Sequence, residues 1–201
     1  MTRLVHPIEE ESFRILRELV DLRALAPLSR AVVERVVHSS ADLDYAENLV
    51  LDEAALEDGR EALLAGAPLV VDVRAVAAMV TTRETLVALA EPGAAELARA
   101  GGLTRSAAGA RLVLERVGPG AVWAIGNAPT ALWELLARRD AARPALVVGL
   151  PVGFVGAAES KAALAASGLP CVTNVGPKGG SAVAAAAVNA LLYHRTEEGI
   201  P

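Results

Sequence analysis

The sequence predicts an α/β fold: a doubly wound, mainly parallel sheet of about five strands, with helices on both faces and further helices at the N-terminus. Three observations predict it. Mainly apolar runs at Leu69 to Val73, Ala121 to Ile125, Ala145 to Gly149 and Pro170 to Asn174 read as strands buried on both faces. Helix-length segments separate these runs, so the connections are crossovers, which join parallel strands. The last three runs each end in a glycine-containing turn that leads into a helix-like segment. In an open sheet of this kind, ligands bind outside the carboxyl ends of the strands. The stretch from Ala121 to Ser181 is therefore where a ligand is expected, and the architecture is flavodoxin-like.

In chain order, His6-Pro7 opens a helix whose apolar stripe is Ile8, Phe13, Leu16, Leu19 and Val20, with Glu9 to Glu11 in the first turn, where the helix dipole favours acids. A second helix starts near Ser29, read as its N-cap, and runs through Val32, Val33, Val36 and Val37 to His38-Ser39-Ser40. Asp52 caps a third, which stops at Gly66 with Pro68 beyond. Residues 1–66 thus form a mainly helical part of one domain spanning 1–201. After the strand at Leu69 to Val73, Thr85 to Ala90 is a weaker strand candidate. Helices follow at Ala94 to Ala100 and Thr104 to Val117. The remaining strands alternate with helices at Pro129 to Arg138, Ala157 to Ala166 and Ser181 to Tyr193. The tail after His194 reads as loose.

Bulk properties exclude several function classes. The chain has 201 residues, 53% hydrophobic and 21% charged, which suits one globular domain. No apolar run is long enough to span a membrane. Net charge is −5 with no basic block, and aromatic residues make up 3%, so a nucleic-acid partner is disfavoured. The single Cys171 excludes an intramolecular disulfide; with no signal-peptide pattern, a reduced cytoplasmic setting is expected. Cys171 lies in an apolar run and reads as a structural thiol. No His, Cys or carboxylate cluster makes a metal site.

Several residues are candidates for chemistry. His38 ends a Val-rich helix; a helix C-terminus favours imidazolium, and Glu34 one turn earlier adds to that. The same placement also describes an ordinary dipole-stabilising histidine, and both readings stay open. Thr104-Arg105-Ser106 opens a helix, where N–H groups, two hydroxyls and a guanidinium can converge on an anion, or where Thr104 is simply an N-cap. Asn127 and Pro129 are a plausible N-cap and N1 pair. Gly153 and Gly156 flank Phe154 and suggest close approach by a ligand. Gly176-Pro177-Lys178-Gly179-Gly180-Ser181 looks like a phosphate cradle, but the order of a P-loop is absent. Asp72 ends a strand and reads as a base, a hydrogen-bond anchor or a cap.

Taken together, R-V-V-H (Arg35 to His38), T-R-S-A-A (Thr104 to Ala108), A-I-G-N-A-P-T-A-L (Ala124 to Leu132), G-L-P-V-G-F-V-G-A-A-E-S-K (Gly149 to Lys161) and G-P-K-G-G-S (Gly176 to Ser181) resemble the precorrin-8X methylmutase, or precorrin isomerase, family over nearly the whole chain. The resemblance implies an isomerase of cobalamin biosynthesis that moves a methyl group from C-11 to C-12 of a contracted tetrapyrrole. It implies no cofactor and a homodimer with sites near the subunit interface. It implies His38 as the acid and Arg105, Thr104 and Ser106 as carboxylate ligands, with Ser12, Thr81, Gly153 and Lys178 as further contacts. The sequence departs from the family pattern after Asp72: Arg74-Ala75 stand where an acidic residue and Met are usual, and Met79 where Gly is usual. Altered substrate preference or reduced activity is left open by this. Two other readings are a non-catalytic corrinoid-binding or carrier protein and, from the glycine-rich turns alone, a nucleotide-binding flavodoxin-like protein.

Overall fold

The computed structural model describes residues 6–194. Six strands form one sheet: β1 (Leu49–Val50), β2 (Leu69–Val71), β3 (Leu86–Val87), β4 (Val122–Ile125), β5 (Leu146–Gly149) and β6 (Cys171–Asn174). Their order is β1-β6-β5-β4-β2-β3, and every pair is parallel except β1 with β6. The five parallel strands alone have the flavodoxin-like order, with the switch point between β2 and β4. The sixth strand, β1, has two residues and no alternation that could announce it; it pairs Leu49 with Asn174 and Val50 with Thr173. The weak strand expected over Thr85 to Ala90 is shorter: a 3-10 turn at Ala88–Ala90 replaces its second half.

Pleating divides the core into two layers. On one face Val71, Val122, Ala124, Leu146, Val148 and Val172 pack against α2 (Pro27–Ser40), α4 (Glu53–Leu64) and α11 (Ser181–Tyr193). On the other, Val70, Trp123, Ile125 and Val147 pack against α7 (Arg105–Val117), α8 (Pro129–Ala137) and α10 (Ala157–Ala165). Both faces of the central strands are apolar because both are covered. Alanine suits α11, where Ala184, Ala185, Ala186 and Ala187 are all buried. The small side chains let it lie close to α2 and the sheet.

The helix α1 (Pro7–Leu19) begins at His6, as expected, and its imidazole Nδ1 accepts from the Ile8 N–H. Ser29 is not the N-cap of α2. The helix starts at Pro27, after Ala26, and its first N–H groups are capped from outside. Glu53 accepts from the Leu28 and Ser29 N–H groups and the Ser29 hydroxyl, at 2.7, 2.7 and 2.6 Å. A carboxylate there also suits the helix dipole. Arg74–Met79 forms a short helix, α5, where the sequence offered only a strand-end segment. The departures at Arg74, Ala75 and Met79 lie on its exposed positions, so they do not disturb the core. The tail after His194 lies outside the described residues.

Gly109 lies where α7 crosses the 3-10 turn, and a Cβ there would overlap the Ala88 carbonyl oxygen. Gly109→Ala should therefore destabilise the protein by about 2 kcal/mol despite alanine's better helix propensity. Urea unfolding checks it; equal or higher stability contradicts the close crossing.

Candidate functional site

The turns after β2, β4, β5 and β6 share the carboxyl edge of the sheet, and their contacts are mostly internal. The Asp72 carboxylate is buried and accepts from the N–H groups of Gly126, Asn127 and Ala128, at 3.1, 2.8 and 2.8 Å. These donors open α8 beside the switch point, where the fold would otherwise offer an anion cradle. The protein fills that cradle with its own carboxylate, so Asp72 is a hydrogen-bond anchor. Asn127 is not the N-cap of α8; Ala128 is, and Asp72 satisfies the donors. The Gly176 to Ser181 turn is likewise engaged. Gly180 N–H donates to Leu150 O at 2.9 Å, and Gly153 N–H donates to Pro177 O at 3.2 Å. A Cβ at Gly179 would overlap the Leu150 and Pro151 carbonyls. The glycines zip two turns together and do not surround a phosphate, which removes the support for a nucleotide reading.

His38 sits in the last turn of α2, half-buried. Its Nδ1 lies 2.8 Å from Ser12 Oγ, and its ring stacks on Phe13 with centroids 4.8 Å apart and planes 22° from parallel. Both partners come from α1, so the packing of α1 on α2 fixes the imidazole. The ring's other nitrogen, Nε2, has no hydrogen-bond partner among the described residues. A hydroxyl both donates and accepts, so Ser12 can hold Nδ1 whichever charge state the ring adopts. Proton exchange is then directed to Nε2. Glu34 does not support the imidazolium as expected, because its carboxylate is held by Arg17 in two 2.8 Å hydrogen bonds.

Thr81 joins the same neighbourhood through Tyr193. The two hydroxyls hydrogen-bond, and the Arg35 guanidinium lies 5.1 Å from the Tyr193 ring centroid and 5.7 Å from that of Phe13. Phe13, Arg35 and Tyr193 thus link three expected residues, Ser12, His38 and Thr81. Phe13 read only as part of the apolar stripe of α1, and Tyr193 only as the end of a helix. Nothing in their spacing marks a ring stack between distant segments.

A second group surrounds the start of α7. Thr104 is its N-cap, accepting from the Ala107 N–H at 3.1 Å, and its hydroxyl lies 2.7 Å from that of Thr130 at the start of α8. Arg105 is exposed and Ser106 half-buried beside it. Gly153 lies in the exposed turn after β5 with φ +147° and nothing within 4 Å of where a Cβ would stand. Lys178 is engaged elsewhere: its Nζ donates to Asp42 and Asp44, at 2.7 and 2.6 Å, which holds the ammonium well above the usual lysine range. Among the described residues, no hydrogen bond or ring contact joins the His38 group to the Arg105 group.

A cavity of about 240 Å³ lined by Phe13, Arg35 and Tyr193 abuts the His38 group. Another cavity, of about 820 Å³, lies along Arg17 to Arg23, Arg30 and Glu34, and neither His38 nor any of the expected substrate contacts lines it. Burial pushes the Cys171 thiol up, as befits a structural cysteine. Among the described residues no group of three His, Cys, Asp or Glu could hold a metal ion, and no helix is long and apolar enough to cross a membrane.

Asp72→Asn should cost about 2 kcal/mol, because the amide nitrogen would face backbone donors. Burial pushes the Asp72 carboxyl up against the pull of the backbone N–H groups of Ala128, Gly126, Asn127 and Val73. On acidification the folded state therefore takes up a proton before the unfolded state does. Wild-type stability gains over the range between that raised value and about 3.9. In urea unfolding, the margin of wild type over Asp72→Asn should widen as pH falls through that window; a shrinking margin contradicts the buried anchor.

Comparison with known proteins agrees with this architecture. A family model described as precorrin-8X methylmutase matches residues 7–194. The precorrin-8X methylmutase of a Sinorhizobium species is 42% identical, covering 92% of this chain and 92% of its own. The cobalt-precorrin-8 methylmutase of Salmonella typhimurium is 38% identical, covering 94% of this chain and 95% of its own. The crystal structure of precorrin-8X methylmutase from Thermus thermophilus superposes with a TM-score of 0.83 at 38% identity, covering 93% of this chain and 96% of that one. With the family match spanning residues 7–194, the chain belongs to the precorrin-8X methylmutase family.

Proposed function

We propose that the protein is a methylmutase that moves a methyl group from C-11 to C-12 of precorrin-8X, or of its cobalt-containing counterpart, to give hydrogenobyrinic or cobyrinic acid. The observation that carries this reading is the His38 ring, held by Ser12 and Phe13 with Nε2 left for a proton. A 1,5-sigmatropic shift is intramolecular, so it calls for no nucleophile and no redox partner. It benefits from an acid that hydrogen-bonds or protonates the macrocycle and draws electron density through the conjugated system. His38 supplies that proton from Nε2 and takes it back when the product regains its electronic structure. Ser12 keeps Nδ1 bonded throughout, so the ring does not rotate as its charge changes.

The macrocycle carries several carboxylates. Arg105, exposed at the N-terminus of α7, presents a guanidinium beside the Thr104 and Ser106 hydroxyls and the helix's first N–H groups. Gly153 leaves room for a flat ligand over the turn after β5. Thr81 contributes through Tyr193, and Lys178 through the loop that carries it. Two copies of the chain would bring the His38 and Arg105 groups to one substrate. Phe154 and Val155, 100% and 89% exposed at the carboxyl edge, offer apolar surface for that homodimer.

Incubation of purified protein with precorrin-8X, followed by absorption spectroscopy, tests the reading. Wild type should convert it. His38→Ala should bind it and lose at least about 100-fold in kcat, the lower end of what a general acid contributes. Arg105→Met should raise KM more than it lowers kcat. Full activity in His38→Ala removes the acid role. Tight binding of hydrogenobyrinic acid by a wild type that shows no turnover marks a corrinoid carrier instead.

A further inference from the structure

Lys161, on α10, is fully buried and has no carboxylate partner among the described residues. Its Nζ donates to Asn174 Oδ1 at 2.9 Å and to the main-chain carbonyl oxygen of Lys178. An ammonium in that position is costly unless its donors are satisfied, and burial pushes it down to about 8. An aliphatic side chain would occupy the same space without that penalty. What the amine adds is a hold on the turn between β6 and α11.

Lys178 is held at its backbone and reaches out with its side chain. Its Nζ donates to Asp42 Oδ2 at 2.7 Å and to Asp44 Oδ2 at 2.6 Å. These aspartates belong to the segment that leaves α2 just after His38. That segment is bent sharply: Ala41 closes α2 with φ +53°, in the left-handed region that alanine disfavours. Ser40 Oγ donates to Val36 O at 2.8 Å and accepts from the Asp42 N–H at 3.2 Å, and Asp42 Oδ1 accepts from the Asp44 N–H at 3.1 Å. The strained turn is thus locked from within and tied from outside, by an ion pair spanning 134 to 136 residues of chain.

We infer that Lys161 and Lys178 form a strut that fixes the His38-bearing end of α2 against the carboxyl edge of the sheet, so that Lys178 is a positioning residue and not a ligand of substrate carboxylates. The activity part of this inference rests on His38 being the proton donor. The placement part does not.

The test uses three variants of the full-length protein: Lys178→Met, the double change Asp42→Asn with Asp44→Asn, and all three together. Lys178 and Asp44 are largely exposed and Asp42 partly so. Each variant should lose roughly tenfold in kcat with KM within about twofold of wild type, since a small misplacement of a reacting group is felt in the chemical step. The combined variant should be no worse than either parent, because all three changes cut one strut. Lys178→Arg should keep most of the activity. A raised KM in Lys178→Met with wild-type kinetics in the aspartate variant would make Lys178 a substrate ligand and overturn the proposal; so would multiplying losses. The second readout needs no substrate. The NMR signals of the His38 imidazole, assigned by their absence in His38→Gln, should shift in every strut variant and in Asn174→Ala, which removes one of the two acceptors that hold the Lys161 ammonium. Unmoved signals overturn the strut even where turnover is normal. A wild type that does not act on precorrin-8X overturns the functional reading and leaves this second readout standing.

Discussion

The carboxylate of Asp72, buried where the strand order reverses, organises the edge on which the candidate site stands. It gathers the N–H groups of Gly126, Asn127 and Ala128 and so fixes the direction of α8. Thr130, on the first turn of α8, meets the Thr104 hydroxyl and aligns the start of α7, where Arg105 projects. In many doubly wound proteins a helix N-terminus at this point receives a ligand's phosphate. Here an internal carboxylate has that place, and the ligand must be recognised by other groups. This is why a fold associated with nucleotides supports a reading as a tetrapyrrole enzyme.

The His38 group is built on a different principle. It depends on the N-terminal helices α1 and α2 and on the end of α11. α1 contributes Ser12 and Phe13, α2 contributes His38 and Arg35, and α11 contributes Tyr193. A hydroxyl on Nδ1 and an aromatic face against the ring together fix its orientation. The proposed proton donor, His38, and the proposed carboxylate ligand, Arg105, thus stand on separate rigid elements, which suits holding a large, flat, polyanionic substrate.

The fold was legible because buried parallel strands are continuous apolar runs, and those at Ala121 to Ile125 and Ala145 to Gly149 hold within a residue of their structural limits. β1 was not legible, because two residues carry no period and their pairing with β6 is set by a distant strand. The start of α2 was misplaced at Ser29 because its cap is Glu53, a side chain from another helix, and no local pattern shows a cap that arrives from elsewhere. In the candidate site, residue identities came from motif resemblance, and their partners did not. Ser12 and His38 are 26 residues apart and Thr104 and Thr130 the same, so the contacts depend on tertiary packing. The glycines of Gly176 to Ser181 suggested room for a ligand, whereas the close approach they permit is to the protein's own backbone at Leu150 and Pro151. Local sequence records that a side chain must be absent, but not what takes its place.

The most direct test of the account is a crystal structure of the protein with its product bound. The account predicts the macrocycle lying against the carboxyl edge, with His38 Nε2 within about 3.2 Å of a ring atom. Nδ1 should still rest on Ser12, and an Arg105 guanidinium, from the same or a second copy of the chain, should meet a carboxylate of the product. A product bound away from His38, or an imidazole turned so that Nδ1 faces the macrocycle, would contradict it.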